Sequence, residues 1–86
     1  MNQNWFVYIA KARTGRLYAG ITANPQYRIE RHNDGRGSKF AIDQGPFTLE
    51  YISLAFQDKS QARKREIQIK GWTHEKKLKL MRGEWK

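Results

Sequence analysis

The sequence predicts an α+β fold, in which a three-stranded, mostly antiparallel sheet is flanked by helices. Aromatic and β-branched residues concentrate in three runs of strand length. Three other segments begin with a cap-type residue and carry apolar side chains at helical spacing. The elements follow the order β-β-α-β-α-α, with an ambiguous stretch before the third strand, and this order is typical of α+β domains.

The first two strands form a predicted antiparallel hairpin. The run 5–10 reads Trp-Phe-Val-Tyr-Ile-Ala, and the run 17–22 reads Leu-Tyr-Ala-Gly-Ile-Thr. Gly15 lies between them and can take the positive φ that a tight turn needs. Gly20 interrupts the second strand, which indicates that another backbone or a ligand comes close there.

A short helix is predicted over residues 25–33. Thr22 or Asn24 can cap it, and Pro25 suits its first helical position. A glycine-rich loop ends this helix. The stretch 39–45 that follows is ambiguous between a loop and a helical turn.

The remaining predicted elements are one strand and two helices, over residues 47–56, 59–70 and 73–82. The strand is rich in Leu, Ile, Tyr and Phe. Asp58 or Ser60 can cap the first helix, and Gly71 can stop it. Thr73 can cap the second helix.

Size and composition limit the possible classes of protein. Eighty-six residues at 10.2 kDa predict one domain, residues 1–86. No run reaches the roughly 20 apolar residues of a membrane span, and the first residues lack signal-peptide features. The absence of cysteine excludes disulfides, thiolate zinc sites and Cys nucleophiles. We therefore expect a cytoplasmic protein with no membrane partner.

The positive charge is concentrated in the last third of the chain. Of the net charge of +9, residues 1–58 carry 7 Lys/Arg and 5 Asp/Glu (+2), and residues 59–86 carry 10 and 3 (+7). Clustered Lys and Arg favour a surface that faces a polyanion. The alternative is a solvated helix face that keeps the protein in solution.

Six polar residues are candidates for chemistry: Tyr8, Tyr18, Arg28, His32, Glu66 and Lys70. Arg28 and His32 lie one helical turn apart and can face one phosphate, although both can equally be surface residues. The two tyrosines can be ordinary sheet residues. Glu66 can simply pair with Lys70 at i,i+4 spacing.

Taken together, these residues match a known pattern. The triplet Phe6-Val7-Tyr8, the triplet Tyr18-Ala19-Gly20 ten residues later, and then Arg28, His32 and the helical Glu66 resemble the GIY-YIG nuclease family. The first triplet is degenerate and the second is nearly intact. The resemblance spans roughly residues 5–80. It extends to the small stand-alone bacterial members through the loop residues Gly35, Gly37, Ser38 and Lys39.

The resemblance implies a metal-dependent phosphodiesterase. One divalent cation, Mg²⁺ or Mn²⁺, would be held by a single carboxylate, that of Glu66, together with water and substrate oxygens. Tyr8 would activate the attacking water. A phenol is a weak base at pH 7, so this role requires a cation or the metal nearby. Arg28 would neutralise charge that develops on the phosphate.

The other candidates would position water or substrate. The resemblance implies that Tyr18 and His32 orient water or phosphate, with His32 as an alternative proton acceptor. We expect further substrate contacts from Lys70, Arg31, Lys39 and Gly20. If these roles are right, Tyr8, Tyr18, Arg28, His32 and Glu66 lie on one concave, solvent-open face.

Two functions therefore compete. The first is a metal-dependent endonuclease acting on DNA, in a setting such as DNA repair or recombination, with RNA as another possible substrate. The second is a basic nucleic-acid-binding module without cleavage, which would use the charge of residues 59–86 and an exposed aromatic such as Trp72. The oligomeric state is left open by the sequence.

Overall fold

The described part of the chain forms a three-stranded antiparallel sheet with helices on both faces. The computed structural model describes residues 3–34 and 45–84. Its strands are β1 (Phe6–Lys11), β2 (Leu17–Thr22) and β3 (Thr48–Ile52), and its helices are α1 (Pro25–Asp34), α2 (Lys59–Lys70) and α3 (His74–Met81). The strand order is β2-β1-β3, and both pairings are antiparallel. The predicted α+β class is confirmed.

The central strand β1 is buried on both sides of the sheet. Val7 and Ile9 point to one face, where they pack with Ala62 and Ile69 of α2 and Leu80 of α3. These five side chains are at most 1% exposed, and we call them the first core cluster. Because side chains alternate along a strand, Tyr8 and Ala10 point to the opposite face.

The second core cluster lies on that opposite face. It contains Tyr8 and Ala10 of β1, Ala12, Ile29 of α1 and Phe47. The sheet is thus covered by α1 on one side and by α2 and α3 on the other. This arrangement explains why the sequence of β1 is an uninterrupted apolar run.

The hairpin has the predicted turn. β1 and β2 pair from Phe6 opposite Thr22 to Lys11 opposite Leu17. The N–H of Ala12 donates to Arg16 O at 2.8 Å, and Gly15 has the positive φ of 95° that was expected of it.

The predicted strand 47–56 is longer than the observed β3. The pairing of β3 with β1 shifts between Ile9 opposite Tyr51 and Ala10 opposite Leu49, so Glu50 is the extra residue of a bulge. Residues two positions apart normally share one face of a sheet. Because of the bulge, Leu49 packs against the second core cluster and Tyr51 against the first.

The regular pairing ends at a side-chain hydrogen bond. The N–H of Val7 donates to the hydroxyl of Ser53 at 2.9 Å, where a regular ladder would offer a backbone carbonyl. Ser53 N donates to Val7 O at 2.8 Å, and the next contact of the two chain segments is the isolated bridge between Trp5 and Phe56. The hydroxyl therefore ends the strand before the apolar run ends.

The helix starts follow cap chemistry. Of the two candidates for α1, Asn24 is the cap, because its Oδ1 accepts from the N–H of Tyr27 at 3.1 Å. Asp58, rather than Ser60, caps α2 and accepts from Ser60 N at 2.8 Å. Thr73 caps α3 by accepting from Lys76 N. The glycine-rich loop and most of the ambiguous stretch 39–45 lie outside the described residues.

The amide of Asn33 joins the end of α1 to the start of β3. Its Nδ2 donates to Phe47 O at 2.9 Å, and its Oδ1 accepts from Phe47 N at 2.5 Å. This pair of bonds fixes Phe47 in the second core cluster, beneath α1.

Two isoleucines of α2 test the packing of the first core cluster. Ile69 is fully buried, whereas Ile67 is 62% exposed. We expect Ile69→Ala to lower the free energy of unfolding by about 2–5 kcal/mol, because a cavity forms. The matched control Ile67→Ala should change it by no more than about 0.5 kcal/mol. Urea unfolding of the two variants measures the difference, and equal costs would contradict the described packing.

The partly buried phenol of Tyr51 should lower the free energy of unfolding in alkali. Burial raises the pKa of the Tyr51 phenol above its ordinary value of 10.0, although Arg65 acts to lower it. As pH rises, Tyr51 therefore loses its phenolic proton in the unfolded chain before it does so in the folded protein. The contribution of the neutral phenol to stability is full below pH 10 and is lost as pH rises through the pKa of the folded state. Urea unfolding between pH 9 and 11 should show a shallower decline for Tyr51→Phe than for the unsubstituted protein. Tyr27→Phe, at an exposed tyrosine, is the control and should keep the original slope.

Candidate active site

A pocket of about 280 Å³ opens where the hairpin, α1 and α2 meet. Its lining includes six residues that the sequence singled out: Tyr8, Tyr18, Gly20, Arg28, Glu66 and Lys70. Arg63 of α2 completes its polar wall. Because β2 is an edge strand and α2 packs against it, residues from both faces of the sheet reach this edge.

Three predicted residues lie elsewhere or outside the description. His32 is in α1, one turn after Arg28, but the structure does not describe its side chain. Arg31 lines a neighbouring pocket together with Arg28 and Arg63. Lys39 lies outside the described residues, so its substrate contact stays a prediction.

Tyr8 reaches the pocket by crossing the backbone of β2. It pairs with Gly20, and its side chain is 4% exposed. A Cβ on Gly20 would lie 2.5 Å from the Tyr8 hydroxyl and 2.7 Å from its Cζ. The close approach expected at Gly20 is therefore real. The group that approaches Gly20 is the ring of Tyr8, rather than the backbone or the ligand that the sequence predicts.

Arg28 lies beside the phenol of Tyr8. It extends from α1, and its Nε donates to the Tyr8 hydroxyl at 3.4 Å. Tyr18 also lines the pocket, and its ring contacts Phe47 edge-on at 5.8 Å between ring centres. The two tyrosines are thus held by core contacts, and the guanidinium reaches the pocket from the exposed side of α1.

Glu66 is the only buried charged residue in the described part of the chain. Its carboxylate accepts from Arg63 Nη1 at 2.7 Å and forms an ion pair with Lys70 Nζ at 3.4 Å. The expected pair with Lys70 is present, but the shorter contact is to Arg63. We did not select Arg63 from the sequence, although its i,i+3 spacing to Glu66 is visible there.

The ion pairs alone do not explain where Glu66 lies. A surface pair would form without burial, and burying a carboxylate is unfavourable even when it is paired. The side chains of Arg63 and Lys70 are half-exposed, so Glu66 is the buried member of this group of three. A buried carboxylate at the wall of a polar pocket is typical of a functional site.

The donor set fits a single Mg²⁺ or Mn²⁺ ion. Both metals favour oxygen ligands, and Mg²⁺ is often bound through one carboxylate, water and substrate phosphate. Each carboxylate oxygen of Glu66 faces one cation, Oε1 Arg63 and Oε2 Lys70, and has a second lone pair. Within residues 3–34 and 45–84, no group of three or more His, Asp or Glu side chains could hold a metal. Glu66 is the one carboxylate in the described lining of this pocket, so it would be the carboxylate ligand.

Comparison with known proteins shows which class of domain this fold and pocket belong to. Residues 4–79 match the sequence profile of the GIY-YIG catalytic domain, so the chain belongs to the GIY-YIG family. Membership in this nuclease-type family implies a nucleic-acid substrate. The described helices include none that is long and apolar enough to cross a membrane.

Small bacterial proteins resemble the chain over most of its length. The UPF0213 protein SAV0488 of Staphylococcus aureus (strain Mu50) is 42% identical over 77 residues, which is 90% of this chain and 93% of that protein. The solution NMR structure of the UPF0213 protein BH0048 from Bacillus halodurans aligns with a TM-score of 0.56 at 35% identity. That alignment covers 90% of this chain and 81% of the other. The expected resemblance to small members of the family is confirmed.

The contact between Tyr8 and Gly20 can be tested by a double-mutant cycle. Gly20→Ala should lower the free energy of unfolding by about 1–3 kcal/mol, because the buried ring must shift. In a Tyr8→Leu background the ring is gone, and the cost should fall by at least about 0.5 kcal/mol. Gly71→Ala is the control, since a Cβ there meets only Gln68 O at 3.5 Å and Ile67 O at 3.9 Å. Urea unfolding measures all variants, and additive costs would contradict the contact.

Proposed function

We propose that the chain is an endonuclease that hydrolyses DNA phosphodiester bonds with one divalent cation, Mg²⁺ or Mn²⁺, bound through Glu66. The observation that carries this proposal is the buried carboxylate of Glu66 on the same pocket as Tyr8, Tyr18 and Arg28. The family membership supports the reaction class, and the pocket supports the roles.

Each side chain has a role that its position supports. Bound at Glu66, the cation would polarise a phosphoryl oxygen and stabilise the leaving oxygen. Tyr8 orients the attacking water and, once its own proton has passed to solvent, accepts a proton from that water as the phenolate; its buried ring fixes the direction of that attack. Arg28 adjoins the Tyr8 hydroxyl and neutralises charge on the phosphate under attack. Tyr18 lines the same pocket and orients the water.

Arg63 and Lys70 exchange partners in this proposal. Without substrate they compensate the charge of Glu66. Both are half-exposed, so water can solvate them once they leave, and the divalent cation would then compensate the buried carboxylate in their place. Once the cation is bound, they are free to contact the phosphates of the strand.

The competing function is binding without cleavage. The +7 charge of residues 59–86 supports it, but Glu66 does not, because a surface that only binds phosphates has no need of a carboxylate that is unfavourable to bury. Trp72, the aromatic that this alternative expects to be exposed, is covered in part. Trp72 is half-buried against the first core cluster, and Lys76 Nζ lies 4.2 Å from its ring centre. The pocket therefore favours the nuclease.

A nicking assay tests the proposed function. Purified protein with Mg²⁺ or Mn²⁺ should convert supercoiled plasmid to the open circle, and a chelator should stop the reaction. Glu66→Gln and Tyr8→Phe should each lower the rate about a hundredfold or more, because one removes the metal ligand and the other the proton acceptor. Glu75→Gln, at an exposed acid of α3, should retain full activity.

Further arms of the assay separate the substrates and the alternatives. Branched DNA and RNA of matched length show whether the preference is for DNA and whether a branch increases the rate, as a repair or recombination role predicts. The Glu66→Gln variant should remain folded, with its unfolding midpoint lowered by no more than about 8 °C. No nicking with either metal, together with nucleic-acid binding that Glu66→Gln leaves unchanged, would support the binding module instead.

A further inference from the structure

A second pocket, of about 560 Å³, adjoins the candidate active site. The two pockets share Ile21, Arg28 and Arg63, so they are separated by a common wall. The second pocket extends from this wall to Trp5 at the start of β1 and to Tyr27 on α1.

The charge of this second pocket is of one sign. Four cations line it, Arg28, Arg31, Lys59 and Arg63, and its described lining contains no carboxylate; Arg63 is paired with Glu66 of the neighbouring pocket, which leaves three cations without an acid in the described lining. The candidate active site differs, because Glu66 lies in its wall. Like charges that face one concavity repel one another, and a bound anion removes this repulsion. Guanidinium groups match the oxygens of a phosphate with paired hydrogen bonds.

The aromatic residues of the pocket indicate what accompanies the phosphate. The side chain of Trp5 is partly buried against the first core cluster, and Lys59 Nζ lies 4.9 Å from its ring centre. Tyr27 is 56% exposed and belongs to neither described core cluster. An exposed aromatic ring beside several cations is typical of a surface on which a nucleobase stacks while its phosphate is held nearby.

We propose that this second pocket is a nucleotide subsite, in which Tyr27 stacks on one base and Arg31, with Lys59, binds its phosphate. The inference rests on the proposed function for its place in the reaction: the subsite holds the nucleotide next to the phosphate that is cleaved. The shared wall supports this place, because Arg28 and Arg63 face both pockets and can contact consecutive phosphates of one strand.

Binding of small ligands tests the subsite without any cleavage. Amide NMR spectra of the ¹⁵N-labelled full chain are recorded with thymidine 5′-monophosphate, with inorganic phosphate and with thymidine, in chelator and without divalent metal. We expect the nucleotide to bind about tenfold more tightly than phosphate, the increment that one stacked base supplies. The largest shifts should fall on the amides of Thr22, Ala23 and Tyr27, which line the pocket.

Variants separate the base from the phosphate. Tyr27→Ala and Tyr27→Leu should bring nucleotide affinity down to that of phosphate, whereas Tyr27→Phe should retain it because the ring is kept. Arg31→Ala should weaken the nucleotide and phosphate alike, by about tenfold. The matched controls are Leu54→Ala, at a side chain 90% exposed, and Lys64→Ala, at an exposed cation outside both pockets. Both should bind as the unsubstituted protein does.

The outcomes distinguish this proposal from the nuclease assignment. Equal affinity for nucleotide and phosphate, or nucleotide binding that Tyr27→Ala leaves unchanged, overturns the subsite whether or not the plasmid is nicked. Tighter nucleotide binding that depends on Tyr27 supports the subsite even if nicking fails, and in that case the cleavage assignment alone is wrong.

Discussion

The candidate site depends on one close approach, the ring of Tyr8 against the backbone at Gly20. Tyr8 belongs to a strand that is buried on both faces, so its side chain cannot point to solvent from the middle of the sheet. It reaches the pocket only because the paired position on β2 has no Cβ. The same edge of β2 is where α2 crosses and supplies Glu66. The missing Cβ at Gly20 of β2 thus decides whether the phenol of Tyr8 and the carboxylate of Glu66 share a pocket.

Electrostatics divide the surface around this edge into two parts. In the candidate active site, the cations Arg63 and Lys70 compensate a buried acid. In the neighbouring pocket, three further cations, Arg28, Arg31 and Lys59, meet no acid among the described lining residues. The net charge of +9 is therefore more than a general attraction for polyanions. Around Glu66 two cations more than offset one acid, and beside it three further cations are left for an anion to neutralise.

Local chemistry predicted most of the fold, and long-range contacts decided the rest. Gly15, Asn24 and Thr73 act through bonds within a few residues, so their roles were visible in the sequence. The early end of β3 was not visible, because it depends on which group the N–H of Val7 meets across the sheet. The bulge at Glu50 depends in the same way on the partner strand.

The candidate site shows the same division. The family pattern selected five residues, of which the fold brings Tyr8, Tyr18, Arg28 and Glu66 to one pocket; the side chain of the fifth, His32, lies outside the description. Arg63 was not selected, because an i,i+3 pair with Glu66 is ordinary on an exposed helix, and only tertiary packing shows that the acid is buried. Since both partners of this acid are half-exposed, the carboxylate is compensated in the free protein by cations that water can solvate once a metal ion takes their place. The proposed function requires this combination, because a site that depended on its metal to remain folded could not exchange metal and substrate without losing its structure.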